Sequence, residues 1–172
     1  MDYIESGRDF SPLFYSDRFQ TFYIEKSLLY AKLKSESVKS VEFVSVQDKR
    51  FHFIEVKTSF PQPGNRKDLK TESQKLYDKL HHSIDLIVAR KLGIKKHLND
   101  ESTTELGNSD VLDKDFSKYN LVFLVIMVDP FQKDWCEEAQ VTLQKKMTPL
   151  KKIWDVKVLV IHENEARGMI KK

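Results

Sequence analysis

The stretch Arg50–Ser59, which reads RFHFIEVKTS, constrains the fold more than any other part of the chain. We interpret it as a β-strand, in which successive side chains alternate between the two faces. Glu55 and Lys57 then follow phenylalanines on one face, so that a carboxylate and an ammonium group extend an apolar row. Burying such charges is costly unless they are paired, hydrogen-bonded or bound to an ion. These two charges therefore need a partner, exposure to solvent at a sheet edge, or a functional role.

A second segment rich in β-formers, Ser37–Gln47, predicts the other strand of a hairpin. Asp48 and Lys49 continue it into a turn before the strand that begins at Arg50. In the first strand Glu42 shares a face with Val44. The hairpin thus carries another carboxylate in an otherwise apolar side.

Helical periodicity appears on both sides of this hairpin. The first predicted helix runs from about Asp17 to Leu33 and carries Glu25 beside its apolar stripe. The second runs from about Asp68 to Leu92 and ends before a glycine. Gln74 and Tyr77 lie one turn apart on this second helix.

The other segments predict the rest of an α/β fold. They are an irregular arm Met1–Tyr15, a polar surface insertion at about 95–118, a buried strand Tyr119–Asp129, a helix Trp135–Leu150 and a last strand Asp155–His162. A strand, a helix and a strand joined by a short crossover favour a parallel pairing. We expect a central mixed β-sheet with helices on both faces, a three-layer αβα arrangement. At 172 residues the chain suits one domain spanning residues 1–172.

Composition excludes several classes of protein. A single cysteine, Cys136, excludes an internal disulfide and a multi-cysteine zinc or iron–sulfur site, and it fits a reducing, cytoplasmic setting. The longest apolar run, Leu121–Val128, is far shorter than the ~20 residues that span a bilayer. The N-terminus lacks a signal-peptide pattern. We therefore expect an intracellular protein without a membrane partner.

The order of these residues resembles the PD-(D/E)XK nuclease superfamily. In that family an acidic residue on one strand precedes (D/E)-x-K on the next, as Glu42 precedes Glu55 and Lys57. Gln74-x-x-Tyr77 on the following helix is similar to the Q-x-x-Y element of its RecB-like branch. The resemblance implies a restriction-endonuclease-like core. Glu42 stands where the family usually has aspartate and reaches farther.

The resemblance also implies a metal-dependent endonuclease that hydrolyses phosphodiester bonds with Mg²⁺ or Mn²⁺, cations that prefer carboxylate and carbonyl oxygens. The implied metal ligands are Glu25, Glu42, Glu55 and the Val56 carbonyl. The implied catalytic residues are Glu42, Glu55, Lys57 and Gln74. The lysine would orient or help to deprotonate the attacking water and stabilise developing negative charge.

Basic residues outnumber acidic ones in the segment after this site, although the net charge of the whole chain is only +3. Such a segment beside a metal centre would attract a phosphate backbone in a salt-sensitive way. The residues expected to contact nucleic acid, with DNA favoured over RNA, are Arg66, Lys67, Lys70, Lys75 and Tyr77.

Two other interpretations of the sequence stay open. In one, the chain is a catalytically inactive nuclease-fold module that binds nucleic acid or a protein partner, as a homodimer or as a subunit of a larger complex. In the other, Glu55 and Lys57 form a structural ion pair in a non-enzymatic α/β interaction domain.

Overall fold

A five-stranded mixed β-sheet forms the centre of the fold. The computed structural model describes residues 4–5, 8–9, 20–31, 33–62, 64–94, 106–128 and 130–170. Its strands are β1 (Ile4–Glu5), β2 (Arg8–Asp9), β3 (Gln20–Phe22), β4 (Phe43–Gln47), β5 (Arg50–Lys57), β6 (Asn120–Met127) and β7 (Lys157–His162). Its α-helices are α1 (Leu28–Ala31), α2 (Arg66–Lys91), α3 (Cys136–Lys146), α4 (Thr148–Trp154) and α5 (Glu163–Ile170).

The strand order in the sheet is β3-β4-β5-β6-β7. The first three strands pair antiparallel, and β5, β6 and β7 pair parallel. A turn with Asp48 in the left-handed region (φ 53°) closes the predicted β4–β5 hairpin. Helix α2 connects β5 to β6, and α3 and α4 connect β6 to β7. The prediction of an α/β fold with a mixed sheet is confirmed.

Helix α2 begins where the sequence supplies a cap. The Asn65 side chain accepts a hydrogen bond from the Asp68 N–H, which satisfies one of the free donors of the first turn. Apolar residues at helical spacing then bury one side of the helix against the sheet; they include Leu69, Leu76, Leu80, Ile84 and Ile87. Gly93, at φ 62°, follows the helix as its C-terminal stop.

Alternation along the central strands divides the core into two clusters. On one face Phe51 and Phe53 pack with residues of α2, α3 and α4 in the larger cluster. On the other face Ile54 and Val56 pack in a smaller cluster that includes Ala166 of α5. Burial of both faces explains why β6 reads as a continuous apolar run.

The outer edge of β7 is covered by side chains of α3. The Val160 N–H donates to Gln140 Oε1 at 3.0 Å. Gln144 Nε2 donates to the Val158 carbonyl at 3.5 Å. These bonds lie along the side of β7 that does not pair with β6.

The predicted helix from Asp17 to Leu33 is wrong. Residues 20–22 form strand β3, a 3₁₀ turn covers Ile24–Lys26, and α1 has only four residues. Phe22 packs in the larger cluster and the next residue, Tyr23, in the smaller one. Neighbouring side chains reach opposite faces of a sheet only in an extended chain, so this contact pattern excludes a helix here. Residues 17–19 lie outside the described ranges.

Three other boundaries differ from the sequence prediction. In the irregular arm, β1 and β2 pair antiparallel. The predicted helix Trp135–Leu150 is two helices, because α3 ends at Lys146 and a proline near the start of α4 fits a new N-terminus. Helix α5 was not predicted from the sequence.

The polar surface insertion predicted at about 95–118 is wrong for its second half. Residues 95–105 lie outside the described ranges. Val111 and Leu112, in a 3₁₀ helix Ser109–Asp113, are fully buried in the larger cluster. Val111 and Leu112 stand among many polar residues, so the sequence shows no apolar periodicity there. In the fold they nevertheless complete the core beside α2.

Within the ranges given above, no helix combines the length and the apolarity needed to cross a bilayer.

Leu112→Ala tests whether this segment belongs to the core. Because Leu112 is 0% exposed, its truncation should lower the free energy of unfolding by about 2–5 kcal/mol. Leu92→Ala is the matched control, since this leucine is 68% exposed and should change stability by less than about 0.5 kcal/mol. Urea unfolding followed by circular dichroism measures both; equal effects would contradict the core assignment.

His52 should make stability depend on pH. Its side chain is 9% exposed, and burial, followed by the Arg50 charge, lowers its pKa to about 4. In the unfolded chain His52 has a pKa near 6.5 and binds a proton more readily than in the folded protein. The free energy of unfolding should therefore be highest above pH 6.5 and fall by about 3 kcal/mol as the pH is lowered to 4. Urea unfolding of the wild type and His52→Leu between pH 7 and 4 should show this loss in the wild type only.

Candidate active site

The site lies beside the first residue of β4, where β5 continues past the start of β4. The Glu42 N–H still donates to the Ile54 carbonyl at 3.1 Å, as in a strand ladder. Two residues further along β5, the Glu42 carboxylate itself accepts the Val56 N–H at 2.7 Å. Because the N–H and C=O of one strand residue point to the same side, the Val56 carbonyl faces this open edge as well. A carboxylate and a backbone carbonyl are thus brought together because β4 begins only at Phe43, opposite the middle of β5.

Glu55 lies on the face of β5 that is turned towards α2, and it is 1% exposed. Its Oε1 atom accepts a hydrogen bond from Lys79 Nζ at 2.7 Å. Lys57 Nζ lies 3.4 Å from the same oxygen. Two ammonium groups therefore converge on one carboxylate oxygen.

The second oxygen of Glu55 is in a different situation. Oε2 is buried and receives no hydrogen bond from the described part of the chain. An ionised carboxylate oxygen without a partner is costly in the interior. Burial raises the pKa of Glu55 despite the opposing effect of the two lysines. This oxygen is suited to receive a cation or a water molecule.

Lys57 is held between two carboxylates. Its Nζ atom lies 2.7 Å from Glu72 Oε1 on α2, in addition to the contact with Glu55. Burial alone would lower the pKa of Lys57, but the neighbouring carboxylates outweigh it and raise the pKa. The side chain is therefore a cation at neutral pH, suited to stabilise negative charge and not to accept a proton.

Lys79 also lies between two carboxylates. Besides its contact with Glu55, its ammonium is 3.9 Å from Glu25 Oε1. Burial opposes the charge, but Glu55 and then Glu25 raise the pKa of Lys79. The Glu25 N–H donates to the Glu42 carbonyl at 3.3 Å, which places this acid beside the start of β4.

These groups border a cleft of about 330 Å³ between β5 and the side of α2. Its lining residues are Glu42, Glu55, Val56, Lys57, Thr58, Ser59, Glu72, Lys75 and Lys79. The predicted residues Glu42, Glu55, Val56, Lys57 and Lys75 are thus brought together. Glu25 reaches the same cluster through Lys79.

The predicted residues Gln74 and Tyr77 do not line the cleft. Gln74 is on the exposed side of α2, where its Nε2 atom donates to Asp78 at 2.7 Å. Tyr77 packs against the larger core cluster, with the Lys146 ammonium 5.5 Å from its ring centroid. The predicted Q-x-x-Y contribution to the site is not supported by this geometry.

The other residues expected to contact nucleic acid lie near the start of α2. Arg66 and Lys70 line a groove of about 500 Å³ whose other wall includes Lys145 and Lys146 of α3. Lys67 is exposed on the first turn. This groove is separate from the cleft beside Glu55 and is lined by four basic residues and one acid, Glu138.

Sequence reasoning missed Glu72 and Lys79 as members of the site. They are seven residues apart on α2, about two helical turns, and Lys75 lies between them on the same side. That charged row at helical spacing was the available signal. It did not show which strand the row would face.

The oxygen groups of the cleft fit a hard divalent cation in their chemistry. Glu42, Glu55 and the Val56 carbonyl are the ligand types that Mg²⁺ and Mn²⁺ prefer, and Glu55 Oε2 is free to bind. Neither in the cleft nor elsewhere do the described residues include three His, Cys, Asp or Glu side chains close enough together to hold a metal by themselves. Backbone or substrate oxygens would have to complete the coordination.

Removing the Glu42 carboxylate should destabilise the fold. Glu42→Ala leaves the buried Val56 N–H without its acceptor, so the free energy of unfolding should fall by about 1–3 kcal/mol. Glu42→Gln keeps an acceptor oxygen and should lose less. Urea unfolding and hydrogen exchange of the Val56 amide measure the two effects. Equal protection of this amide in both variants would contradict the assigned hydrogen bond.

A scan against protein-family models and searches of curated proteins and of solved structures find no match to this chain. The arrangement of residues around Glu55 is therefore the basis for assigning a function.

Proposed function

We propose that this chain is a metal-dependent nuclease that hydrolyses phosphodiester bonds in nucleic acid, DNA in preference to RNA. The observation that carries the proposal is the buried Glu55 Oε2 atom, which lacks a hydrogen-bond donor among the described residues and borders the cleft that contains Glu42 and Lys57. The PD-(D/E)XK resemblance requires an acidic residue, a second acid and a lysine in one hairpin, and here Glu42 directly precedes β4 while Glu55 and Lys57 lie in β5.

The order of elements around the cleft supports a restriction-endonuclease-like core with three αβα layers. In the antiparallel hairpin β4–β5, Glu55 and Lys57 lie in β5, and Glu42 directly precedes β4. Helix α2 follows and covers the face that bears Glu55, and β6 returns parallel to β5. The sheet contacts α2, α3 and α4 on that face and α5 on the other.

Each group in the cleft has a role in this proposal. Glu42, Glu55 and the Val56 carbonyl would hold Mg²⁺ or Mn²⁺, which supplies neutralisation of phosphate charge and a more acidic water. Lys57, protonated because its pKa is raised, would orient the water and stabilise negative charge on the phosphate. Glu25 would add an outer carboxylate. Gln74 has no role here because it does not line the cleft and bonds to Asp78 instead.

Basic residues beside the cleft support binding of a phosphate backbone. Lys75 is 55% exposed at the cleft, and the groove at the start of α2 adds Arg66, Lys70, Lys145 and Lys146. Contacts of this kind are independent of base sequence and weaken as salt increases.

The single cysteine is consistent with a reducing, cytoplasmic setting.

Glu55→Gln and Lys57→Met test the proposed activity directly. Purified wild-type protein should cleave supercoiled plasmid or single-stranded DNA with Mg²⁺ or Mn²⁺ and not with EDTA. Each substitution should lower the cleavage rate by about 10²–10⁴-fold, because it removes a metal ligand or the cation that faces the phosphate. Gel assays with plasmid, single-stranded DNA and single-stranded RNA measure the rates.

Glu36→Gln and Lys34→Met are matched controls, since both side chains are exposed and distant in sequence from the cleft residues of β5 and α2. They should cleave at the wild-type rate. Activity that persists in Glu55→Gln and Lys57→Met would show that a contaminant or another site is responsible.

A second candidate function is favoured by Lys79. Its ammonium is only 2.7 Å from Glu55, so the carboxylate already has a cation within the chain. On this alternative the domain is an inactive nuclease-fold module that binds nucleic acid or a protein, as a homodimer or as a subunit of a larger complex. Salt-sensitive DNA binding without metal-dependent cleavage of any of the three substrates would favour it.

A further inference from the structure

Lys79 is the group in the cleft that the proposed nuclease chemistry does not explain. It projects from α2 into the site and donates its shortest hydrogen bond to Glu55, the same carboxylate that would bind a metal. The two other cations at the cleft have different main partners, since both Lys57 and Lys75 pair with Glu72. Lys79 is therefore the lysine whose main partner is the carboxylate assigned to the metal.

We propose that Lys79 is an internal counter-ion that competes with the divalent cation for Glu55 and moves to Glu25 when the cation binds. This inference rests on the proposed function, because it concerns the metal site of that function. Lys79 acts through Glu55 and is a positioning residue for the cation.

The distances support a short movement of one ammonium group between two acceptors. Lys79 Nζ lies 2.7 Å from Glu55 Oε1 and 3.9 Å from Glu25 Oε1. The longer contact becomes a full hydrogen bond if the ammonium moves by roughly 1 Å. Glu25 is 32% exposed, so its side chain can also adjust towards the lysine.

The charge of the cleft gives the reason for such a movement. Its carboxylates Glu42, Glu55 and Glu72 are matched in number by the ammonium groups of Lys57, Lys75 and Lys79. A divalent cation added to this balanced set is repelled by the nearest ammonium, which is the one hydrogen-bonded to Glu55. Transfer of Lys79 to Glu25 weakens that repulsion and releases Glu55 Oε1, the oxygen that Lys79 contacts, so that both oxygens of Glu55 can face the cation.

A static ion pair and a counter-ion that moves make different predictions for substitutions of Lys79 and Glu25. In both cases Lys79→Met alters stability, because Glu55 loses a buried partner, and it favours a nearby cation, because a positive charge is removed. Only a counter-ion that moves to Glu25 makes the effect of Glu25 on metal affinity depend on the presence of Lys79. The metal affinities of the Lys79 and Glu25 variants, measured without substrate, therefore separate the two roles.

Isothermal titration with MnCl₂ on the full chain tests the proposal. Lys79→Met should bind Mn²⁺ about 10-fold or more tightly than the wild type, a change of roughly 1.4 kcal/mol. Lys39→Met is the matched control: it removes a lysine that pairs with Asp78 outside the cleft and should leave the affinity unchanged. Circular dichroism and thermal melts establish that each variant is folded.

The outcomes separate this proposal from the proposed function. Mn²⁺ binding to the wild type with equal or weaker binding to Lys79→Met overturns the role of Lys79 and leaves the metal site in place. Absence of binding to both proteins overturns both. Binding to Lys79→Met alone supports the competition and favours the inactive module as the function of the wild type.

Two further variants keep the test decisive if Lys79→Met does not fold. Lys79→Gln retains a hydrogen-bond donor to Glu55 without the charge and should also bind Mn²⁺ more tightly. Glu25→Gln removes the acceptor for the displaced lysine and should weaken binding by about 10-fold. In the double variant Lys79→Gln/Glu25→Gln, the second substitution should change the affinity for Mn²⁺ very little, because no lysine remains to be accepted. A full 10-fold loss of affinity in the double variant would show that Glu25 binds the metal itself and would overturn the proposed movement of Lys79.

Discussion

The burial of one carboxylate, Glu55, governs the arrangement of the site. It sits in β5, between β4 and β6, under the side of α2, where an anion is stable only with compensating charge. Helix α2 provides Lys79, and β5 itself provides Lys57 from the same face. The charged side of α2 and the apolar side that packs on the sheet are therefore two parts of one docking surface.

The strands and long helix near the site were predictable because each has a strong local signal. Strand β5 and helix α2 show the period expected of their type, and β6 and β7 are short apolar runs rich in β-formers. The β3 segment failed because its aromatic residues also fit a helical stripe. Only pairing with β4, a contact between residues more than twenty positions apart, makes the extended form preferable there.

The candidate site was predictable in its strand residues and not in its helix residues. Glu42, Glu55 and Lys57 follow from alternation and from a family pattern in one hairpin. Glu72 and Lys79 join them through the rotation of α2 about its axis, which packing against the sheet determines. The same rotation turns Gln74 to solvent and Tyr77 towards α3. Local spacing carries no information about that angle.

The glutamine side chains along β7 also limit how this chain can associate with others. Gln140 and Gln144 occupy backbone groups that an incoming strand would need for pairing. Sheet extension at β7 would first require these two bonds to break. A homodimer or a larger complex would consequently use helical or loop surfaces, or the short edge strand β3, in preference to a continuous sheet across the β7 edge.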